Sequence, residues 1–391
     1  MTEHRLELAD IFRTHQKDFL ARWNPVLSRH QRKALWDIRD CRTAALGGHL
    51  QQCDRCGHRV ILYNSCRNRH CPKCQAMARA RWLQQRQADL LPVPYFHVVF
   101  TLPQQIGQLA LQNAKQIYTM LFRAASQTLL ETAAEPRLLG ASIGFLAVLH
   151  TWGQNLHLHP HLHCVVPGGG ISLDGSRWIT CRKSSFFLPV RLLSHRFRQK
   201  FLRQLEQAFR SGMLRLCGEL RPLADLAAFR TLCEKAARSK WVVHVKPPFG
   251  GPERVLKYLA RYTHRVAISN HRLQSLEQGR VTFEWKDYAD RGRTKNMTLD
   301  ALEFMRRFLL PVLPSGMVRI RQFGFLANRV RKQKLELCRT LLAVLQPPAP
   351  VGSDSSDPYL PHTHVCPVCK HGRMIIIELL SAQPLAIQDT S

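Results

Sequence analysis

Four histidines alternate through residues 157–163, HLHPHLH, and the run continues as CVVP into Gly168, Gly169 and Gly170. In an extended strand successive side chains point to opposite faces, so His161 and His163 share one face while Leu162 and Cys164 take the other. Val165 and Val166 extend a β-prone run that Pro167 and the glycines are expected to end. Neighbouring imidazoles on a rigid strand offer neutral nitrogen ligands to a divalent cation. His159 and Gln154 are both candidates for a third ligand. A structural zinc is the plainer use of such a site. Phosphate oxygens of a substrate would supply the hard ligands that Mg or Mn prefers, which favours Mg or Mn acting on a phosphodiester.

A second chemistry sits upstream. CDRC at 53–56 and CPKC at 71–74 are two Cys-x-x-Cys pairs separated by fourteen residues. Two such thiolate pairs complete a tetrahedral zinc site, so Cys53, Cys56, Cys71 and Cys74 are expected to bind structural Zn. Cys66, His70 and His58 are additional candidates close by, and one site with spare ligands or a second partial site are both open. Arg55, Arg59, Arg67, Arg69 and Lys73 surround them, which suits a small DNA-facing module. The tail segment HTHVCPVCKHGRM carries one further pair, Cys366 and Cys369, with His362, His364 and His371 nearby. It is equally read as half of a second zinc site or as a tail with incidental cysteines.

The third group is aromatic. In LKYLARYTHR, Tyr258 and Tyr262 are four residues apart and share a helical face, with Lys257, Arg261, His264 and Arg265 in the same turns. An aromatic pair packed on a sheet is the bland reading, but so many cations suit a helix beside phosphates. A phenol is a weak nucleophile at neutral pH, and polarisation of the phosphorus by a metal lowers the barrier from the other side. Tyrosine attack on a DNA phosphate keeps the bond as a phosphotyrosine for later rejoining. No P-loop is present to supply nucleotide chemistry.

Composition agrees with a polyanionic partner. Lys and Arg number 57 against 27 acids, a formal charge of +30 at pH 7. A field of that sign recruits nucleic acid. No apolar run approaches the roughly 20 residues that cross a bilayer, and the N-terminus lacks an apolar signal core. A cytoplasmic, nucleoid-associated protein is expected, with no membrane partner. Thirteen cysteines in such a compartment are read as metal chemistry before disulfides.

The elements that must position these groups follow from periodicity and punctuation. Residues 1–45 read as helical, and a further helix is expected over 76–91, closed by Pro92 and Pro94. YFHVVFTLP (95–103) and ASIGFLAVLHTW (141–152) read as strands, the second able to pair with the histidine strand. Long helices are expected over 104–135 and 192–238, strands at RWITC, SFFLPV and WVVHVKPP, and a helix over 252–267. VTFEWKDYADRGRTKNMTL reads as a hairpin tipped by Arg291 and Arg293, followed by the helix ALEFMRRFLL. The basic strand-like MVRIRQFGFLANRVRKQK then contributes Arg319 and Arg321. QPPAPVGSDSSDP (346–358) is a linker. The mixture gives an α+β fold with an antiparallel sheet flanked by helices. Its expected segments are an N-terminal helical and zinc-binding region (1–92), a catalytic domain with the tyrosine helix (93–275), a basic hairpin and helix region (276–345), and a linker with a Cys/His tail (346–391).

Taken jointly and in order, these motifs resemble the HUH-type, two-tyrosine insertion-sequence transposases with an N-terminal zinc-binding region, which move by a rolling-circle route. YNSCRNRHCPKCQ matches the family's zinc region, HPHLHCVVPGGG its HUH motif and WVVHVKPPFGGPERVLKYLARYTHRVAIS its tyrosine helix; FEWKDYADRGRTK and GMVRIRQFGFLANR look like its downstream segments. The resemblance implies an HUH-endonuclease-like sheet. It implies His161 and His163 as holders of a catalytic Mg or Mn, Tyr258 and Tyr262 as nucleophiles, and Cys53, Cys56, Cys71 and Cys74 as zinc ligands. The activity implied is single-strand DNA cleavage and strand transfer through a 5′-phosphotyrosine, on single-stranded or hairpin element ends. Arg67, Arg69, Lys257, Arg261, Arg265, Arg291, Arg293, Arg319 and Arg321 are expected to contact DNA. The chain departs from the pattern at Pro311 and Gln322, where histidines are expected. A plasmid-type rolling-circle replication initiator and a non-catalytic zinc-dependent regulator are the rival readings. Oligomerisation is left open.

Overall fold

The computed structural model describes residues 5–75, 89–181, 187–246, 266–287, 290–343 and 364–383. The helices expected over 76–91 and 252–267 and part of the SFFLPV segment lie outside the described residues. In chain order the strands are β1 (Gly48–Cys53), β2 (Arg59–Tyr63), β3 (Tyr95–Thr101), β4 (Ala141–Ser142), β5 (Gly144–Trp152), β6 (Leu158–Pro167), β7 (Gly169–Ser172) and β8 (Trp178–Thr180). They continue with β9 (Val243–Lys246), β10 (Leu273–Glu277), β11 (Arg280–Asp287), β12 (Arg293–Asp300), β13 (Ile320–Gly324) and β14 (Met374–Leu380). Two compact units form. One gathers residues 1–78, 268–312 and 346–391, the other 79–267 and 313–345. This interleaving cuts across the linear segmentation read from the sequence.

In the first unit, helices Leu8–Trp23 and Arg29–Asp40 pack together. Ser28 starts the second through a reciprocal capping box: its Oγ accepts from the Gln31 N–H at 3.3 Å, and Gln31 Oε1 accepts from the Ser28 N–H at 2.8 Å. Helix Ala301–Leu309 joins them, with Phe308 edge-on to Phe12 at 5.6 Å, and Asp300 caps it by accepting from the Leu302 and Glu303 N–H groups. The hairpin expected around Arg291 is present as β11–β12, with β10 added at its side. The cysteine-rich segment holds a hairpin, β1–β2, and the tail strand β14 pairs with β1 on the other side.

The second unit is built on a five-stranded antiparallel sheet of order β13-β5-β6-β3-β9. One face carries Phe323, Phe145, Ala147, Leu149, Leu162, Cys164, Val166, Phe96, Val98 and Phe100. It packs in one core with helices Ala114–Ala134 and Val190–Arg210. The opposite face carries His150, His161, His163 and His97; at one end Leu146, Val148 and Val165 on it are covered by Phe325, Leu335 and Cys338. Alternation alone sorts the apolar set from the imidazoles. The strand ends at Pro167, as expected, with a bend at Gly168. After Gly168 the chain re-enters a second small sheet as β7, between β4 and β8. A Cβ on Gly169 would lie 2.5 Å from the Ile179 carbonyl oxygen, and one on Gly170 2.5 Å from that of Ser142, so only glycine lets these backbones approach. Among the described residues no helix is long and apolar enough to cross a membrane.

Phe100 is fully buried and meets Phe197 edge-on at 5.0 Å beneath the histidine face. Phe100→Ala is expected to destabilise this unit by about 3–5 kcal/mol, read as a lower urea midpoint of its unfolding transition.

Candidate metal centres and catalytic face

Antiparallel pairing of β5 with β6 sets His150 directly opposite His161, and Val148 opposite His163. The three imidazoles His150, His161 and His163 present ring nitrogens that all lie within 4.8 Å of one another. His150 and His163 are buried and His161 half-buried. His150 is not among the candidates read from the sequence; its signal is the strand 141–152, whose pairing across the short turn to β6 brings it level with His161. His159 stands outside this group, its ring 5.0 Å from that of His161, and Gln154 lies in the turn between the two strands.

The nitrogen each ring presents is decided by what holds the other. His161 Nδ1 lies 2.6 Å from the His159 carbonyl oxygen, an acceptor only, so Nδ1 carries the proton and Nε2 keeps its lone pair. His163 Nδ1 lies 2.8 Å from Nε2 of His97 on β3. Burial, with smaller contributions from Lys246 and His244, pushes His97 down to about 3. It is therefore neutral at working pH; in the tautomer whose Nε2 accepts the His163 Nδ1–H, Nε2 of His163 is the nitrogen free to ligate. Such backing of ligating imidazoles fixes ring orientation and tautomer.

The cysteines assemble into two groups. Cys41, Cys66, Cys71 and Cys74 form the first, with Sγ separations of 3.6 Å for Cys41–Cys74 and Cys66–Cys74. Cys53, Cys56, Cys366 and Cys369 form the second. The expected pairing of Cys53 and Cys56 with Cys71 and Cys74 is thus not what the structure brings together. The β1–β2 hairpin carries the two pairs apart. Cys41 escapes a reading by motif because it stands alone at the end of a helix, with no paired partner in sequence. Cys66, a spare ligand by sequence, belongs to the first group; His70 and His58 belong to neither. Four thiolates are a zinc donor set.

Tyr258, Tyr262, Lys257, Arg261 and Arg265 lie outside the described residues. Arg67, Arg291 and Arg293 are exposed and Arg69 is half-buried. Arg319, however, is buried, and the half-buried Arg321 lies over the Phe122 ring at 4.2 Å. These two pack within their unit, because β13 is the strand that closes one side of the central sheet.

Geometry thus defines a class: an α+β protein with tetrathiolate clusters on one unit and a three-imidazole cradle on a central sheet of the other. The transposase zinc-binding domain matches residues 11–102, and a putative transposase family matches residues 144–334. The chain is 54% identical over 381 residues to the putative transposase y4qJ of Sinorhizobium fredii, covering 95% of each chain. It is 29% identical over 301 residues to the transposase for insertion sequence element IS801 of Pseudomonas savastanoi pv. phaseolicola, covering 75% of this chain and 70% of that one. A conjugative relaxase, TrwC in complex with oriT DNA, overlaps 43% of this chain and 70% of its own at 13% identity and a TM-score of 0.24, too slight to bear on function. This chain belongs to the transposase family of these insertion-sequence proteins, with the zinc-binding domain of the IS91 type at its N-terminal side.

Removing the ring that backs His163 tests the cradle. His97→Ala is expected to weaken Mn(II) binding by about 10–100-fold in calorimetric titration, while His150→Ala, which deletes a nitrogen from the group, weakens it at least as much. Unchanged affinity in both variants would reject the cradle.

Proposed function

We propose that this transposase cleaves and rejoins single DNA strands by a rolling-circle route, with tyrosines as nucleophiles. The observation that carries the reading is the His150, His161 and His163 group, whose two HUH imidazoles both have Nδ1 backed by a hydrogen-bond partner, which leaves Nε2 to face a cation. Mg or Mn fits such a face: three nitrogens leave further positions for water and phosphate oxygens. When bound, the cation supplies Lewis-acid polarisation of one phosphodiester.

The chain's own groups do the rest. His97 and the His159 carbonyl hold the ligating rings still, so little reorganisation accompanies substrate entry. Tyr258 or Tyr262 attacks the phosphorus in line. A P–Oη bond forms as the phenol gives up its proton, the P–O3′ bond breaks, and the departing 3′ oxygen takes up a proton to become a free hydroxyl, so no net proton is consumed. The 5′ end is left on the enzyme as a phosphotyrosine, and attack by a 3′ hydroxyl reverses the bond to join donor to target. The second tyrosine serves a second cleavage. The first thiolate group holds structural Zn within the N-terminal module. Exposed Arg67, Arg291 and Arg293, with a net charge of +30, support binding of single-stranded or hairpin element ends.

Labelled single-stranded end DNA incubated with the protein and Mn(II) is expected to give a protein–DNA adduct that survives denaturation. Tyr258→Phe/Tyr262→Phe and His161→Ala/His163→Ala should each abolish it while leaving DNA binding largely intact. An undiminished adduct from the tyrosine pair would reject the nucleophiles, and one from the histidine pair would reject the metal. A second expectation concerns the hairpin tip: Arg291→Ala/Arg293→Ala should weaken single-strand binding and flatten the plot of log K against log salt by about 0.7 for each phosphate no longer neutralised.

A further inference from the structure

The tail cysteines close a site that neither matched family segment contains whole, since the segments end at residues 102 and 334. We propose that Cys53, Cys56, Cys366 and Cys369 bind a second zinc ion that clasps the C-terminal tail onto the N-terminal hairpin, making a split zinc ribbon from segments some 310 residues apart in the chain.

Three observations carry it. The first is metric: Cys53 Sγ lies 3.7 Å from Cys369 Sγ, and Cys56 Sγ lies 3.7 Å from Cys366 Sγ. Zn–S bonds of about 2.3 Å in a tetrahedron put sulfurs roughly 3.8 Å apart, whereas a disulfide needs about 2 Å.

The second is that the two cysteine turns are copies of one another. In the first, the Gly57 N–H donates to the Cys53 carbonyl at 3.2 Å; in the second, the Lys370 N–H donates to the Cys366 carbonyl at 3.0 Å. The residue after each closing cysteine takes a left-handed conformation, Gly57 with φ 71° and Lys370 with φ 59°. Backbone N–H groups also point at sulfur in both, at the opening cysteine of the first turn (Arg55 and Cys56 at Cys53 Sγ, 3.4 Å each) and at the closing cysteine of the second (Gly372 at Cys369 Sγ, 3.3 Å). A non-glycine residue rarely accepts such a φ, so Lys370 is held there by the turn it completes. The turns are also stitched to each other, the Asp54 N–H donating to the Arg373 carbonyl at 3.0 Å and the Arg373 N–H to Asp54 Oδ1 at 2.8 Å. Gly372 lies against the cluster so closely that a Cβ there would fall on Cys53 Sγ.

The third is how little apolar adhesive the seam has. Among the described residues the apolar cluster beneath it is Cys53, Cys366 and Met374, with Val60 and Cys369 packed beside it. Ile375, Ile376, Ile377 and Leu379 of β14 remain exposed. A core this small does not order a three-stranded sheet unaided, and in such modules the metal-binding free energy is the folding free energy.

Metal quantitation on the whole protein purified from zinc-supplemented medium tests this. Wild type is expected to carry two Zn per chain and Cys366→Ser/Cys369→Ser one, with amide exchange across 374–380 faster by about tenfold or more in the variant. A wild type that binds one Zn, or a variant that keeps two, overturns the proposal. Should the variant fail to fold, X-ray absorption of wild type decides alone: an all-sulfur shell for two Zn per chain supports the clasp, and a single Zn per chain overturns it.

Discussion

The histidine-bearing unit depends on one constraint, the in-register antiparallel pairing of β5 with β6 over a face that must be buried. His150 opposes His161 as Leu149 opposes Leu162. Both leucines are inaccessible to solvent in the core made with helices Ala114–Ala134 and Val190–Arg210. A slip of one residue would turn Leu162 out and an imidazole in, so hydrophobic burial on one face holds the register of the imidazoles on the other. The same pleat puts His97 of β3 on the imidazole side, where its neutral ring backs His163 Nδ1 through a hydrogen bond.

The first unit solves a different problem. Its segments are dispersed along the chain, and each is short. Helices Leu8–Trp23, Arg29–Asp40 and Ala301–Leu309 share an aromatic core around Phe12 and Phe308. The β1–β2–β14 sheet lacks one among the described residues and relies on its thiol cluster. Bringing residues 53 and 369 together closes a long loop whose entropic cost grows only with the logarithm of its length, so a strong local bond can hold the ends. Coordination is such a bond, and it acts at a fixed geometry.

Charge is divided between construction and display. Arg39 pairs with Asp40, Arg196 with Glu135, and Arg306 and Arg307 with Glu303; Arg319 is buried beside the sheet that carries the histidines. Arg67, Arg291 and Arg293 remain exposed. A net charge counts all of these alike, which is why composition points to a polyanion while the choice of contacting residues needs burial.

Much of the architecture is legible in the chain itself, wherever the signal is local. Period-two alternation marks β6 and puts His161 and His163 on one face; apolar runs mark β3 and β5; the Asp-Arg-Gly tip marks the β11–β12 hairpin. The family likeness is likewise carried by short motifs in order. What the linear pattern does not contain is pairing between distant segments. Cys41 and the tail pair Cys366 and Cys369 join other cysteines only through the β1–β2 hairpin and the return of β14. His150 joins the imidazoles only through a strand register. Arg319 reads as a DNA-facing cation until β13 takes its place in the sheet. Residue type and spacing determined which chemistry this protein has, because ligand identity and strand or helix face are local properties. Tertiary structure decided which ligands share a centre, because a metal shell is completed by proximity in space, and long-range contact is set by the burial and closure of the whole chain.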